Sequence, residues 1–201
     1  MLSLQSKTLR FSVLAALFVV SLAATMFAIH KWRGRRSPAP NTHEGSLENI
    51  PGLAVGDTVK LPTLPTLENK ATDLSAREQT YLLLAFFSTK CEGCSLDQPF
   101  WKDLRKEIAG QSVAFFIVAI DVDQAAIQRY ASSYDFADLP VLFDPQKSAL
   151  AGFRIQFVPQ YVLFSTDGKV IHRWTGIRRY EPGRGTAVDK LPGFREFYSA
   201  Q

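Results

Sequence analysis

The chain has 201 residues, a formal net charge of +4 and a 46% apolar composition. That length holds one domain, or one domain with appendages, and the apolar fraction is enough for a real core. Much of the positive charge sits in Lys31, Arg33, Arg35 and Arg36, a local cluster that argues against a basic face for nucleic acid. No internal repeat is present.

Residues 11–29, FSVLAALFVVSLAATMFAI, carry no charge. As a helix they would span about 28 Å, close to the hydrocarbon thickness of a bilayer. Lys7 and Arg10 precede them, and His30, Lys31 and Trp32 follow. The expectation is one transmembrane anchor within residues 1–30. A cleaved signal peptide is the alternative, with small residues at Ala23, Ala24 and Ala28, although the apolar run exceeds the usual signal core of about 7–15 residues. The flanking charges conflict over topology. Four cations follow the stretch against two before it, which by itself favours a cytoplasmic domain, but long domains can translocate regardless of flanking charge. Residues 31–52, rich in Pro, Gly, Ser, Asn and Arg, read as a flexible tether, leaving 53–201 as the globular domain.

Residues 53–74 show short apolar pulses broken by Pro62, Pro65 and Asn69-Lys70, a pattern for edge strands or a hairpin. Residues 81–87, YLLLAFF, predict a buried strand. A short polar connection leads to the only two cysteines, Cys91 and Cys94. Leu96, Phe100, Leu104 and Ile108 then recur at helical spacing up to Gly110. A helix whose first turn carries Cys-Glu-Gly-Cys presents unpaired N–H groups and partial positive charge to Cys91, which favours its thiolate as a nucleophile. Lys90 acts in the same direction and Glu92 against it. Two intervening residues let Cys94 reach the Cys91 sulfur and resolve a mixed disulfide.

Residues 112–121 predict a second strand buried on both faces. Residues 124–134 predict a helix with Ile127, Tyr130, Ala131 and Tyr134 on one face. A strand is expected at 139–143, a short helix at 146–152, and strands at 161–165 and 169–174 joined through Asp167-Gly168, a strong hairpin signal. The tail, 176–201, holds at most one short helix, after Pro192. The pattern is an α/β domain with a central sheet of mixed strand directions.

With these elements placed, the chain resembles the thioredoxin superfamily and, within it, the membrane-tethered TlpA/ResA-like branch of thiol-disulfide oxidoreductases. The resemblance covers roughly residues 53–176. It rests on the strand before and helix after Cys91-Glu-Gly-Cys94, on Pro99 within that helix, on Val158-Pro159 just before a strand, and on the hairpin through Asp167-Gly168. It implies a thioredoxin-like fold with an N-terminal strand extension, preceded by one transmembrane helix. It also implies Cys91 as nucleophile, Cys94 as resolving thiol, and Pro159 as a cis-proline at which a partner docks, with Lys90, Glu92, Val158 and Pro99 in support. Protein disulfides or dithiols are the implied substrates, and a membrane protein the electron donor. The implied setting is a reducing role on the outer side of a bacterial inner membrane, for example in cytochrome c maturation. The chain departs from the pattern at Lys90, where the family commonly has Trp, and at Ala85, where thioredoxins carry a buried acid. The proton acceptor for Cys94 is thereby unassigned, with Glu92 and Asp97 as candidates.

No metal or cofactor is expected. Zinc would need two further ligands, and His30, His43 and His172 are not clustered with the cysteines; haem attachment would need His where Ser95 stands. A peroxide reductase on the same fold is one alternative, but the positions of its proline and threonine are Leu84 and Ser88. A tethered binding or assembly module that does not turn over is another. Copper delivery is weaker, because copper-carrying relatives space their cysteines by three residues. Phe100 and Trp101 are expected in the core or at its rim, and His172 and Trp174 in structural roles.

Overall fold

The computed structural model describes residues 52–136 and 138–198, all within the compact unit Asn49–Gln201. The apolar stretch 11–29 and all but the last residue of the tether lie outside the described residues. Among the described residues, no helix is long and apolar enough to cross a membrane.

The central strand is β3, Tyr81–Phe87. It runs parallel to β4, Val113–Ala119, which runs parallel to the short edge strand β5, Val141–Phe143. On its other side β3 is antiparallel to β6, Gln160–Ser165, and β6 is antiparallel to β7, Val170–Thr175. The order is β5-β4-β3-β6-β7, a mixed sheet as expected. Strands β1, Thr63–Pro65, and β2, Ala71–Asp73, form the separate N-terminal hairpin.

The unbroken apolar run of β3 follows from burial on both faces, because successive side chains point to opposite sides. Leu83, Ala85 and Phe87 join one core with Phe100, Trp101, Leu104 and Ile108. Leu82, Leu84 and Phe86 join the other, with Leu53, Leu61, Leu64 and Leu74 from the N-terminal extension and Phe153 from the far end of α4, Ser148–Phe153.

The helix expected after the cysteines is two helices. α1, Glu92–Leu96, ends at Asp97, which also opens α2, Gln98–Glu107. Pro99 falls in the first turn of α2, where a missing N–H costs nothing. The break takes Leu96 out of the apolar stripe, and it is 60% exposed. Trp101 is fully buried, as is Phe100.

Helix α3 is Gln124–Ser133, capped by the Asp123 carboxylate, which accepts the Ala126 N–H at 3.1 Å. Ile127 is its one fully buried residue, and Tyr134 lies just past its end, exposed. In the β6–β7 turn Gly168 has φ +80°, and a Cβ there would stand 2.1 Å from the Val59 carbonyl oxygen. That close approach exists because residues 56–59 pair with the start of β7: Val59 N–H donates to Gly168 O at 3.0 Å and Val170 N–H to Asp57 O at 2.8 Å.

The tail forms a 3-10 turn, Val188–Lys190, and one short helix, α5, Arg195–Tyr198. Three carboxylates of the α1–α2 segment hold it. Asp97 accepts the Arg178 N–H at 2.8 Å, Asp103 accepts the Tyr180 hydroxyl at 2.8 Å, and Glu107 accepts Ala187 N–H at 2.8 Å and Val188 N–H at 3.0 Å. Ala187, Val188, Leu191 and Phe194 thereby enter the same core as Trp101. Trp174 stacks on His172 and donates its indole N–H to Pro192 O at 3.0 Å.

Candidate active site

The site lies where β3 ends and α1 begins. Asp121, just past β4, anchors the intervening turn: its carboxylate accepts Thr89 N–H at 2.6 Å and the Ser88 hydroxyl at 3.2 Å. Ser88 in turn accepts Lys90 N–H on its hydroxyl at 3.1 Å and Cys91 N–H on its carbonyl at 3.1 Å. Nothing in the spacing of the sequence pointed to Ser88 and Asp121 as partners; they meet because β3 and β4 are parallel neighbours.

Cys91 and Cys94 are joined in a disulfide with Cα atoms 5.3 Å apart. Cys91 occupies the N-cap of α1, where Ser, Thr, Asp or Asn is usual, and its sulfur accepts the Cys94 N–H at 3.1 Å. That N–H, which also donates to the Cys91 carbonyl oxygen at 3.1 Å, would stabilise negative charge on the same sulfur in the reduced protein. Cys91 is partly exposed and Cys94 fully buried. A substrate sulfur can therefore reach the first cysteine and not the second.

Val158–Pro159 is a cis peptide. The Val158 carbonyl oxygen is 3.6 Å from the Cys91 sulfur, so the two segments that the sequence separates by 67 positions meet at the disulfide. Lys90 and Glu92 are exposed beside it, and Pro99 is exposed on α2. Three exposed apolar side chains border these elements: Leu96, Phe157 and Ile177. Ile177 covers the turn between the cysteines, where a Cβ on Gly93 would stand 3.0 Å from its Cδ1.

Behind Cys94 is a buried polar cluster. Asp97, three residues on, is fully buried. It receives the Tyr161 hydroxyl in a short hydrogen bond on one oxygen and the Arg178 N–H on the other. Trp101 Nε1–H donates to the Tyr161 oxygen at 2.9 Å, and the Arg178 guanidinium lies 5.3 Å from the centre of the Tyr161 ring. Burial pushes the Asp97 carboxyl above the usual aspartate range, against the lowering effect of the Tyr161 and Arg178 hydrogen bonds. Burial likewise raises the Tyr161 phenol well above its ordinary value, with the Asp97 charge adding to it, and lowers Arg178. Of the two acids considered as proton acceptors, Asp97 is buried near Cys94 and Glu92 faces solvent. Tyr161 and Arg178 were not singled out in the sequence; they come from β6 and the tail and join Asp97 only in the fold.

No group of His, Cys, Asp or Glu among the described residues is placed to hold a metal ion.

A mixed five-stranded sheet with a Cys-x-x-Cys pair at a helix start and a cis-proline against it is the architecture of the thioredoxin superfamily. Within it the chain belongs to the Redoxin family, which residues 54–187 match, and it is ResA-like. It is 26% identical over 113 residues to thiol-disulfide oxidoreductase ResA of Bacillus subtilis, covering 56% of this chain and 63% of that protein. To ResA of Bacillus cereus it is 23% identical over 145 residues, covering 71% and 82%. Two solved structures share the fold. The thioredoxin domain of a thiol-disulfide oxidoreductase from Bacteroides vulgatus matches with TM-score 0.57 and 18% identity, over 72% of this chain and 96% of that one. A secreted Mycobacterium tuberculosis disulfide oxidoreductase matches with TM-score 0.52 and 21% identity, over 67% and 93%.

Proposed function

We propose that this chain is a thiol-disulfide oxidoreductase that exchanges disulfides with protein partners through Cys91-Glu-Gly-Cys94, in the reducing direction, from a membrane tether on the outer side of the inner membrane. The observation that carries the exchange reading is the asymmetry of the pair: Cys91 is partly exposed at a helix N-cap with a donor on its sulfur, and Cys94 is sealed behind it.

In the reduced protein the Cys91 thiolate attacks a substrate disulfide, forming a mixed disulfide and releasing one substrate thiolate. Cys94 loses its proton to Asp97 and attacks the Cys91 sulfur, closing the Cys91–Cys94 bond and releasing the second thiolate. A buried carboxyl with a raised pKa suits this transfer better than an exposed one, since its proton affinity is nearer that of a thiol. A dithiol donor then restores the reduced pair. The extended segment of the partner lies along the Val158-Pro159 edge, with Leu96, Phe157 and Ile177 offering apolar contact. The names of the ResA relatives support this reading, as does the order of strand, cysteines and cis-proline.

The test uses the full chain. Wild type reduces insulin disulfides with a dithiol donor, Cys91→Ser falls to the uncatalysed background, and Cys94→Ser accumulates mixed disulfides with partners. A Cys94→Ser protein that traps nothing while Cys91 still reacts with an alkylating agent sinks the exchange reading. A reduction potential near that of thioredoxin, about −270 mV, supports the reducing direction, and one near about −120 mV reverses it. A topology reporter fused after Gln201 tests the tether and its orientation; a cytosolic signal removes the proposed setting.

A further inference from the structure

The buried cluster behind Cys94 holds more polar groups than exchange itself requires. Its hydrogen bonds have a direction. An indole N–H only donates, so Trp101 must give its hydrogen to the Tyr161 oxygen. The Tyr161 hydrogen is then aimed at Asp97, and the other Asp97 oxygen already accepts the Arg178 N–H. The Tyr161 hydroxyl and the Arg178 amide both donate to the carboxylate, one to each oxygen, so the cluster is satisfied by an ionised Asp97. A protonated one would bring a further hydrogen into a buried place where both of its oxygens already accept a donor.

The strand register adds an independent observation. Tyr161 is the direct partner of Ala85 across the β3–β6 ladder, and both are buried in the core that contains Cys94.

We propose that Tyr161 is a positioning residue for the resolving step: its hydroxyl, fixed by Trp101, holds the Asp97 carboxylate as a hydrogen-bonded anion, ready to take the proton of Cys94. The proposal rests on the exchange reading above. The titratable and charged groups around Asp97 are Tyr161 on β6, Arg178 in the tail and, one turn back on its own segment, Cys94. The reaction balances as follows. Cys91–S⁻ displaces one thiolate from an aromatic disulfide and becomes the mixed disulfide. Cys94–SH gives its proton to the Asp97 carboxylate, and the resulting thiolate displaces the second aromatic thiolate.

Loss of the Tyr161 hydroxyl removes a hydrogen bond that favours ionised Asp97, so the acceptor form persists only at higher pH. The experiment forms the mixed disulfide on the dithiol-reduced full chain at acid pH with one equivalent of a chromogenic aromatic disulfide. A jump to higher pH follows, and release of the second thiolate is timed. In Tyr161→Phe this release slows roughly tenfold at neutral pH, its pH limb moves in the alkaline direction, and the first release is unchanged. In an Asp97→Asn background, Tyr161→Phe has no further effect on the limb. Replacing Tyr161 by a fluorinated tyrosine, of nearly the same shape but a stronger donor, moves the limb the other way, and this holds the test open should the phenylalanine variant fold poorly. An unmoved limb in both variants, or an equal effect of Tyr161→Phe with and without Asp97, overturns the positioning role while leaving exchange intact. A wild-type protein that releases the first thiolate and never the second takes down the exchange reading and the inference together.

Discussion

At the residue scale the proposed chemistry depends on two different kinds of burial. The Cys91 sulfur is open on one side and carries a backbone donor; Asp97 is closed off completely and carries two. The second case has a thermodynamic signature. Burial, the largest influence, raises the Asp97 pKa above its unfolded value, so the folded protein binds more protons than the unfolded one between those two values. Stability from this group is fully present below the ordinary aspartate range and is lost as pH rises through the folded value. Relative to Asp97→Asn, the oxidised wild-type protein should therefore lose stability with rising pH across that window. Urea unfolding of both proteins over the pH range checks it; parallel curves would mean Asp97 titrates as an ordinary surface acid. The same substitution should slow the resolving step by on the order of a hundredfold, measured as release of the second thiolate, because the proposed proton acceptor is gone.

At the scale of elements, the important event is the break between α1 and α2. Pro99 has no N–H, so it fits the first turn of a helix better than an interior. Placing it there makes Asp97 the hinge between two helices and turns its side chain inward to Tyr161 and Arg178. The β6–β7 hairpin is equally exacting. Gly168 combines φ +80° with the Val59 carbonyl where a side chain would begin. Gly168→Ala should cost about 2–4 kcal/mol of stability, read from the denaturation midpoint, since backbone has to move as well as adopt a strained φ. Gly93 is a milder case. The obstacle to its Cβ is the Ile177 side chain, with Cδ1 at 3.0 Å and Cγ1 at 3.1 Å, which can rotate, so Gly93→Ala should cost about 1 kcal/mol by the same measurement, and that cost should shrink in an Ile177→Ala background.

At the scale of the molecule, the tail is a strap with one short helix, held by hydrogen bonds. Glu107 satisfies the Ala187 and Val188 N–H groups together, and those residues then fill the core next to α2. Glu107→Ala leaves two N–H groups without their acceptor and should cost about 2–3 kcal/mol. Because residues 182–186 are exposed loop with two glycines at positive φ, the loss should show first as faster proteolysis there, before the sheet unfolds. Unchanged cleavage in that loop would mean that apolar packing alone seats the tail.

Much of this protein is legible without coordinates, because it depends on short-range pattern. The apolar runs at 81–87 and 112–121, the cysteines at a helix start and Asp167-Gly168 between strands all lie within a few residues of the features they control, whereas the place of Val158-Pro159 beside the cysteines is implied only by the resemblance. Period and turn chemistry are local properties of the chain. The tertiary structure decided what depends on meetings between distant segments. Asp121 anchors the active-site turn across the β3–β4 pair, Tyr161 stands opposite Ala85, and Arg178 reaches Asp97 from the tail. No periodicity announces such partners, since a buried hydrogen bond is specified by where two backbones converge and not by what either segment looks like alone. The helix break belongs to the same class: Leu96 continues the apolar spacing, yet the local demand of Pro99 and the long-range hold on Asp97 turn it out to solvent.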